Sequence, residues 1–385
     1  MGASRMAQQI IFWQNIPSIH QSALIRNFAN FSDYEVVLIC EQDISAERRS
    51  LGWQIPDYGN AEVIISPKDK TIRDLIFSRG IQKTHILGGT RSNSLVKEAL
   101  RKSLGTDATI GIYSEMPDHP YGVTGIAKRI LYSIDALKLK NRLKFFLAVG
   151  KEGSEWYGKC GYPAEIIFPF GYFLEQPNLD CHLSMVSQNE KAKLRIVFIG
   201  NLIKRKGVDL LLKAVAALQE MNWGIQIIGD GVERKELVNL CDSLGLKHQI
   251  KFLGVMNNND AMRTLECTDL LVLPSLHDGW GAVVNEALMR GVPAICSDRC
   301  GASVLLNGTS RGEVFEAGNV AALRETLERW IRNGPLKKSE KTRIKTWATL
   351  NISGKTAVNY LNNILLYTNG NGKRPQAPWN NLDTE

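Results

Sequence analysis

The 385-residue chain lacks most of the features that would place it in a class at once. It has no stretch of about 18 uncharged apolar residues, so no transmembrane helix is expected. Its opening, "MGASRMAQQIIFWQNIPSIH", has neither a long apolar core nor a small-residue cleavage site, so no signal peptide is expected. Seven cysteines are scattered at 40, 160, 181, 241, 267, 296 and 300. Their number is odd and no CxxC pair occurs, which argues against a zinc site and a disulfide framework and fits a reducing cytoplasm. Ser/His/Asp and Cys/His nucleophile signatures are missing. So are HEXXH and DxD, and neither a metal nor a cofactor is expected. Without a zinc finger, an RNP-type motif or a basic-aromatic platform, no nucleic-acid partner is expected either.

What remains is the composition of a soluble globular protein, 44% apolar and 22% charged, long enough for two cores. The net charge of +8 points to an anionic partner without naming it. Positive charge is concentrated in "KRILYSIDALKLKNRLK" (128–144) and "RNGPLKKSEKTRIK" (332–345), each with six Lys/Arg against one acid.

The first half alternates short apolar runs with helix-like segments. "QIIFW" (9–13), "EVVLIC" (35–40), "AEVIIS" (61–66), "THILGG" (84–89), "TIGIYS" (109–114) and "FFLAVG" (145–150) read as buried strands. Segments of three-to-four-residue apolar spacing lie between them, which predicts βαβ units on a parallel sheet. A last strand over 164–173 leads into a polar, aperiodic stretch read as a linker. The pattern then restarts, with strands at 194–200, 223–229, 249–255 and 269–275, a helix over 208–221, and a helix over 282–291 stopped by Gly291-Val292-Pro293. Ligands of such sheets sit beyond the carboxyl ends of the strands, near helix N-termini.

Three loops of the second half share one design: strand, glycine with polar residues, helix. "GNLIKRKG" (200–207) brings Arg205 and Lys206 to a helix start, a setting that suits a diphosphate. "GDGVERKEL" (229–237) lacks the third glycine of a dinucleotide fingerprint. "PSLHDGWGAVVNEAL" places Asp278 just before a helix and Glu286 about one turn inside it. Gly279 and Gly281 there remove side chains where a ligand could approach the backbone, and carboxylates suit vicinal hydroxyls. Taken singly, each loop also fits a plainer role: a solvated basic turn, a tight turn, or an N-cap Asp with a Glu that favours the helix dipole.

In this order and spacing the loops resemble the donor-binding domain of GT-B glycosyltransferases, specifically the retaining glycosyltransferase family 4 (glycosyl transferases group 1). The shared pattern is a "G(R/S/N)L…KG" loop, a "GDGP.R..L" loop, an "FLG" strand, a "DLLVLPS" strand, and a carboxylate pair flanking G-aromatic-G, here Asp278-x7-Glu286. It covers roughly 194–310, and the first half matches only in layout. The resemblance implies an α/β GT-B fold of two doubly wound Rossmann-like domains facing a cleft. Within it Glu286 would hold ribose hydroxyls and Asp278 would face the donor sugar. The backbone of Gly281, Ala282 and Val283 would touch sugar and phosphate. Lys206 would neutralise the diphosphate, with Asn201, Arg205 and Gly231 around it, and Val255 would lie beside the base. Asp278 replaces the usual Glu, and Asn201 stands where many members have Arg, so Arg205 would supply that charge; the donor's identity stays open. "DGWG.VVNEAL" is further similar to a bacterial subset linked to surface polysaccharides.

The resemblance also implies a group from the first half, after its fifth strand, where the family often has a histidine. "IGIYSEMPDHPYG" offers Glu115 first, then Asp118 and His119, and His20 follows the first strand; each histidine also fits an ordinary loop or cap role. In 128–144, Ile130, Ile134 and Leu137 share one helical face. That predicts a helix packed on the sheet with a solvated basic side; the alternative is docking on anionic lipid headgroups.

The expected organisation is a 1–175 acceptor domain, a 176–193 linker, a 194–350 donor domain, and a 351–385 segment whose helix crosses back to the first domain. The expected activity is metal-independent, retaining hexosyl transfer from a UDP-sugar to a lipid-linked or polysaccharide acceptor at the cytoplasmic membrane face. The alternatives are a soluble small-molecule glycosyltransferase and a catalytically silent nucleotide- or sugar-binding module.

Overall fold

The computed structural model describes residues 8–46, 49, 54–117, 122–176, 194–306 and 310–380. All but the first residue of the expected linker lies outside them. The chain divides into a first unit built from Met1–Arg49, Gln54–Glu175 and Ile352–Asn381 and a second built chiefly from Gln176–Asn351.

In the first unit seven strands form one parallel sheet: β1 (Gln8–Gln14), β2 (Tyr34–Cys40), β3 (Glu62–Ile65), β4 (Gln82–Leu87), β5 (Thr109–Glu115), β6 (Phe145–Val149) and β7 (Ile167–Phe170). Their order is β3-β2-β1-β4-β5-β6-β7. Helices α1 (Ile19–Phe31), α2 (Asp69–Phe77), α3 (Ser94–Ser103), α4 (Gly122–Leu139) and α5 (Gly153–Lys159) connect them. The strands are apolar on both faces, as a parallel sheet covered on both sides requires; all five residues of β6 are buried. Side-chain caps fix two helix starts: Ser18 accepts from the His20 N–H and Asn93 from the Val96 N–H. The sequence did not anticipate α5, and the strand expected over 164–173 narrows to four residues after a 3-10 turn at Ala164–Ile166.

The helix α4 corrects the sequence expectation. Ile130, Ile134 and Leu137 do not pack on the sheet; they are 58%, 41% and 71% exposed. Its buried residues are Gly125, Ala136 and Leu139. Small residues thus take part of the buried side, and Asp135 anchors the helix through two 2.7 Å hydrogen bonds from Arg91.

The second unit repeats the design with β8 (Leu194–Ile199), β9 (Trp223–Ile228), β10 (Ile250–Gly254), β11 (Leu270–Leu273), β12 (Ala294–Ser297) and β13 (Gly312–Phe315), in the order β10-β9-β8-β11-β12-β13. Its helices are α6 (Val208–Val215), α7 (Arg234–Ser243), α8 (Asn258–Glu266), α9 (Ala282–Leu288), α10 (Val320–Asn333) and α11 (Lys338–Ile352). The helix expected over 208–221 is shorter, continuing only as a 3-10 turn at Ala216–Leu218. A last helix, α12 (Gly354–Thr368), belongs to the first unit, where Leu174 N–H donates to Ile352 O at 3.1 Å and Gly354 N–H to Leu174 O at 2.9 Å.

Asp269 at the start of β11 is 2% exposed and ties three elements together. It accepts from Arg195 Nε at 2.9 Å and Nη2 at 3.0 Å, and from Lys341 Nζ at 2.9 Å. Burial pushes its carboxyl up, but these hydrogen bonds outweigh burial and hold it below its ordinary value. A depressed carboxyl contributes stability above the unfolded pKa and loses it as pH falls through the folded one. Asp269→Asn should cost about 2 kcal/mol at neutral pH, less than the roughly 3–5 of a fully buried pair, because water screens the half-exposed Arg195. Urea midpoints of variant and wild type should differ at pH 7 and converge as pH falls below about 4. A gap independent of pH would assign the loss to packing.

Candidate functional site

The site is assembled by backbone contacts among three loops at the carboxyl ends of β8, β9 and β11. Leu202, fully buried, locks the first loop to the second: its N–H donates to Asp230 O at 2.9 Å, and its carbonyl accepts from Glu233 N–H at 3.0 Å. Gly231 packs against that carbonyl. The first loop then makes a 3-10 turn, Lys204–Lys206, and enters α6 through Gly207 at φ +65°. A Cβ at Gly207 would lie 2.2 Å from the carbonyl oxygen of Pro274, so only glycine lets this loop close against the end of β11. Leu276 N–H donates to Arg205 O at 2.8 Å, which carries Arg205 and Lys206 to the third loop.

There Asp278 receives them. Lys206 Nζ lies 2.5 Å from Asp278 Oδ2, and both side chains are largely buried. Arg205 Nη1 donates to His277 O at 2.7 Å and lies 4.0 Å from Asp278 Oδ1. Two cations around one carboxylate leave a net positive charge. Lys204 stands apart, paired with Asp209 at 3.1 Å. The backbone of Asp278 is pinned on both sides, its N–H donating to Arg299 O and its carbonyl accepting from Gly301 N–H, each at 3.0 Å.

The tryptophan between the two glycines is a core residue, 1% exposed. Its Nε1 donates to the buried Asn285 Oδ1 at 2.8 Å, and its carbonyl accepts from Ala302 N–H at 2.7 Å and Cys300 Sγ at 3.0 Å. Gly281 caps α9 at φ +87°, and a Cβ there would meet Cys300 Sγ at 2.6 Å. The space beside Gly281 is thus filled by protein. Ala282 and Val283 open the helix, partly exposed.

Glu286 lies one turn into α9 and is partly buried. No described residue hydrogen-bonds to its carboxylate. Burial raises its pKa, opposed by the nearby Arg290 guanidinium. Asn201 is exposed at the head of the first loop. Val255, 48% exposed, follows β10, where Gly254 O accepts from Gly229 N–H at 2.8 Å.

The first unit gathers a second group at the carboxyl ends of its own strands. Glu115 closes β5, and its carboxylate accepts a short hydrogen bond from the Tyr172 hydroxyl. His20, in the first turn of α1, stacks on the Tyr172 ring at 5.1 Å and 12°. Tyr157 Oη donates to the carbonyl of Glu115 at 2.6 Å. The sequence reading named Glu115 and His20 but missed Tyr172, whose only signal was its place just after the last strand. Asp118 and His119 lie outside the described residues. Among the described residues no cluster of three or more His, Cys, Asp or Glu could hold a metal, and no helix is long and apolar enough to cross a membrane.

Residues 184–347 match the model of the family described as glycosyl transferases group 1. An uncharacterized glycosyltransferase of Methanocaldococcus jannaschii is 34% identical over 103 residues, 26% of each chain. The lipopolysaccharide core biosynthesis glycosyltransferase LpsD of Rhizobium meliloti is 32% identical over 140 residues, 36% of this chain and 39% of LpsD. The chain spans from about a quarter to a half of the length of these and similar curated relatives. Among solved structures, Anabaena Alr3699/HepE in complex with UDP superposes with a TM-score of 0.70 at 15% identity, over 94% of this chain and 100% of that one. At that identity the likeness speaks for the fold. The chain therefore has the GT-B fold of two Rossmann-like units and carries, over residues 184–347, a match to the glycosyl transferases group 1 domain.

Proposed function

We propose that the protein is a retaining glycosyltransferase that moves a hexose-type sugar from a UDP-sugar to a lipid-linked or polysaccharide acceptor in cell-surface glycan synthesis. The observation that carries the reading is Glu286, a partly buried carboxylate without a hydrogen-bond donor among the described residues. Ahead of its helix, Asp278 of the third loop meets Lys206 and Arg205 of the first. A ribose offers the two hydroxyl donors that such a carboxylate lacks, and the net positive cluster suits a diphosphate. The complex of Alr3699/HepE with UDP and the name of LpsD support the donor and the glycan class. In this reading Asp278, held beside Lys206, meets the sugar, while Lys206 and the start of α6 stabilise the leaving diphosphate. Retention is what the resemblance implies, and proton NMR of the product's anomeric centre tests it. Transfer or hydrolysis of a labelled UDP-sugar separates this reading from a silent binding module.

Glu286→Ala should remove a charge-assisted hydrogen bond, roughly 1.5–3 kcal/mol, and weaken UDP binding at least tenfold by calorimetry. The ionised form is the acceptor, and its pKa is raised. UDP affinity should therefore fall as pH drops through a value above the ordinary carboxylate range, and Glu286→Gln should flatten that limb. Unchanged binding in a folded variant would remove Glu286 from the donor site.

A further inference from the structure

We propose that the outward face of α4 docks on the surface of an anionic phospholipid bilayer by seating an apolar stripe among the lipids, with basic residues on its flanks. Val123, Ile126, Ile130, Ile134 and Leu137 recur at intervals of three and four, the spacing of one helical face. Their exposures run from 41% for Ile134 to 85% for Val123. The buried Gly125, Ala136 and Leu139 lie on the opposite side, so the stripe points straight away from the core. A contiguous exposed apolar row of this kind marks an interaction surface.

The charge selects the partner. Six Lys/Arg occupy 128–144 against one acid, Asp135, and Arg91 already engages that acid. Arg129, Lys138 and Lys144 are exposed. A basic-flanked apolar helix lies in the headgroup plane of an anionic membrane rather than crossing it. Two copies of the same helix face to face would instead bring these like charges together. The position also fits: β5 ends at Glu115 and the chain enters α4 at Gly122, so docking holds the carboxyl end of β5 near the headgroups. That last point rests on the proposed lipid-linked acceptor; the surface itself does not.

The test is flotation of the full chain with phosphatidylglycerol–phosphatidylcholine vesicles and with phosphatidylcholine alone, at low and high salt. UDP calorimetry and light scattering run in parallel. Wild type should float with the anionic vesicles and weakly with the neutral ones. Ile126→Ser/Ile130→Ser/Ile134→Ser should lower partitioning at least tenfold at either salt. Arg129→Glu/Lys138→Glu should lose the low-salt binding. Both should bind UDP within twofold of wild type, which also certifies folding. Wild type that ignores anionic vesicles at low salt overturns the proposal. So does a serine variant that floats like wild type, or one whose only change is from dimer to monomer. Wild type that binds the vesicles but not UDP would instead count against the donor reading alone.

Discussion

Lys206→Ala is expected to cut sugar transfer by about a hundredfold to a thousandfold while leaving free uridine binding within a few-fold. That range is typical for removing one preorganised group from developing negative charge. The ammonium sits where the turn Lys204–Lys206 meets the third loop, 2.5 Å from Asp278. Its position is set by backbone, through Gly207 against Pro274 and the Leu276 N–H on Arg205 O, so truncating the side chain leaves the turn in place. Uridine has no phosphates for Lys206 to neutralise; UDP and the UDP-sugar do. Binding should therefore weaken for UDP, stay nearly constant for uridine, and turnover should fall most, since charge on the leaving diphosphate grows in the transition state. There is a competing structural effect. Without Lys206, the mostly buried Asp278 carboxylate keeps only Arg205, 4.0 Å away. Lys206→Ala/Asp278→Asn removes the stranded charge as well. If the double variant recovers turnover, the single loss came from an uncompensated carboxylate. If it does not, while Asp278→Asn alone keeps more turnover than the double variant, the ammonium itself serves the reaction. Equal losses for uridine and UDP would make Lys206 a folding residue.

What the sequence disclosed and what it hid follow from the kind of interaction involved. The strand-glycine-helix units of the second half were legible because each depends on local requirements: an apolar run, a residue able to take positive φ at Gly207 and Gly281, and polar residues at a helix start. The pairing of Lys206 with Asp278 spans 72 residues, and neither the local pattern nor the family resemblance named it; the resemblance gave the two residues separate roles. Trp280 was hidden: flanked by glycines in a polar loop, it belongs to no apolar period, yet its indole is a core plug bonded to Asn285. Tyr172 carries no periodic signal, and its role comes from standing between His20 and Glu115, residues of two other elements. The orientation of α4 was misread because periodicity shows that a face exists, not which side meets the sheet. Gly125 and Ala136 contribute little to an apolar pattern, yet they lie on the buried side. The return of the chain to the first unit was expected for the 351–385 segment from the family layout, but the Leu174 backbone that fastens it at Ile352 lies beyond any local pattern.

Glu115→Gln is expected to lower turnover by about a hundredfold or more, the scale of a general acid–base group, while UDP affinity stays within a few-fold. The substitution is conservative here for a specific reason: an amide oxygen can still accept from the Tyr172 hydroxyl, so the His20–Tyr172–Glu115 arrangement persists and only the charge is lost. The backbone at this point is held independently, by the Tyr157 hydroxyl on the Glu115 carbonyl. A carboxylate at a strand's carboxyl end can polarise an acceptor hydroxyl or stabilise positive charge growing on a sugar ring. The two roles separate by solvent isotope effect. A general base moves the acceptor's proton in the transition state and slows turnover in deuterium oxide, and Glu115→Gln should lose that effect. A purely electrostatic partner moves no proton and leaves the isotope effect unchanged by the substitution. Tyr172→Phe provides the positioning control. It removes a hydrogen bond to the carboxylate without removing the carboxylate, so the rate should fall less than in Glu115→Gln. Turnover near wild type in Glu115→Gln would take Glu115 out of the reaction and leave the 118–121 segment that follows it as the place to look for the acceptor-side group.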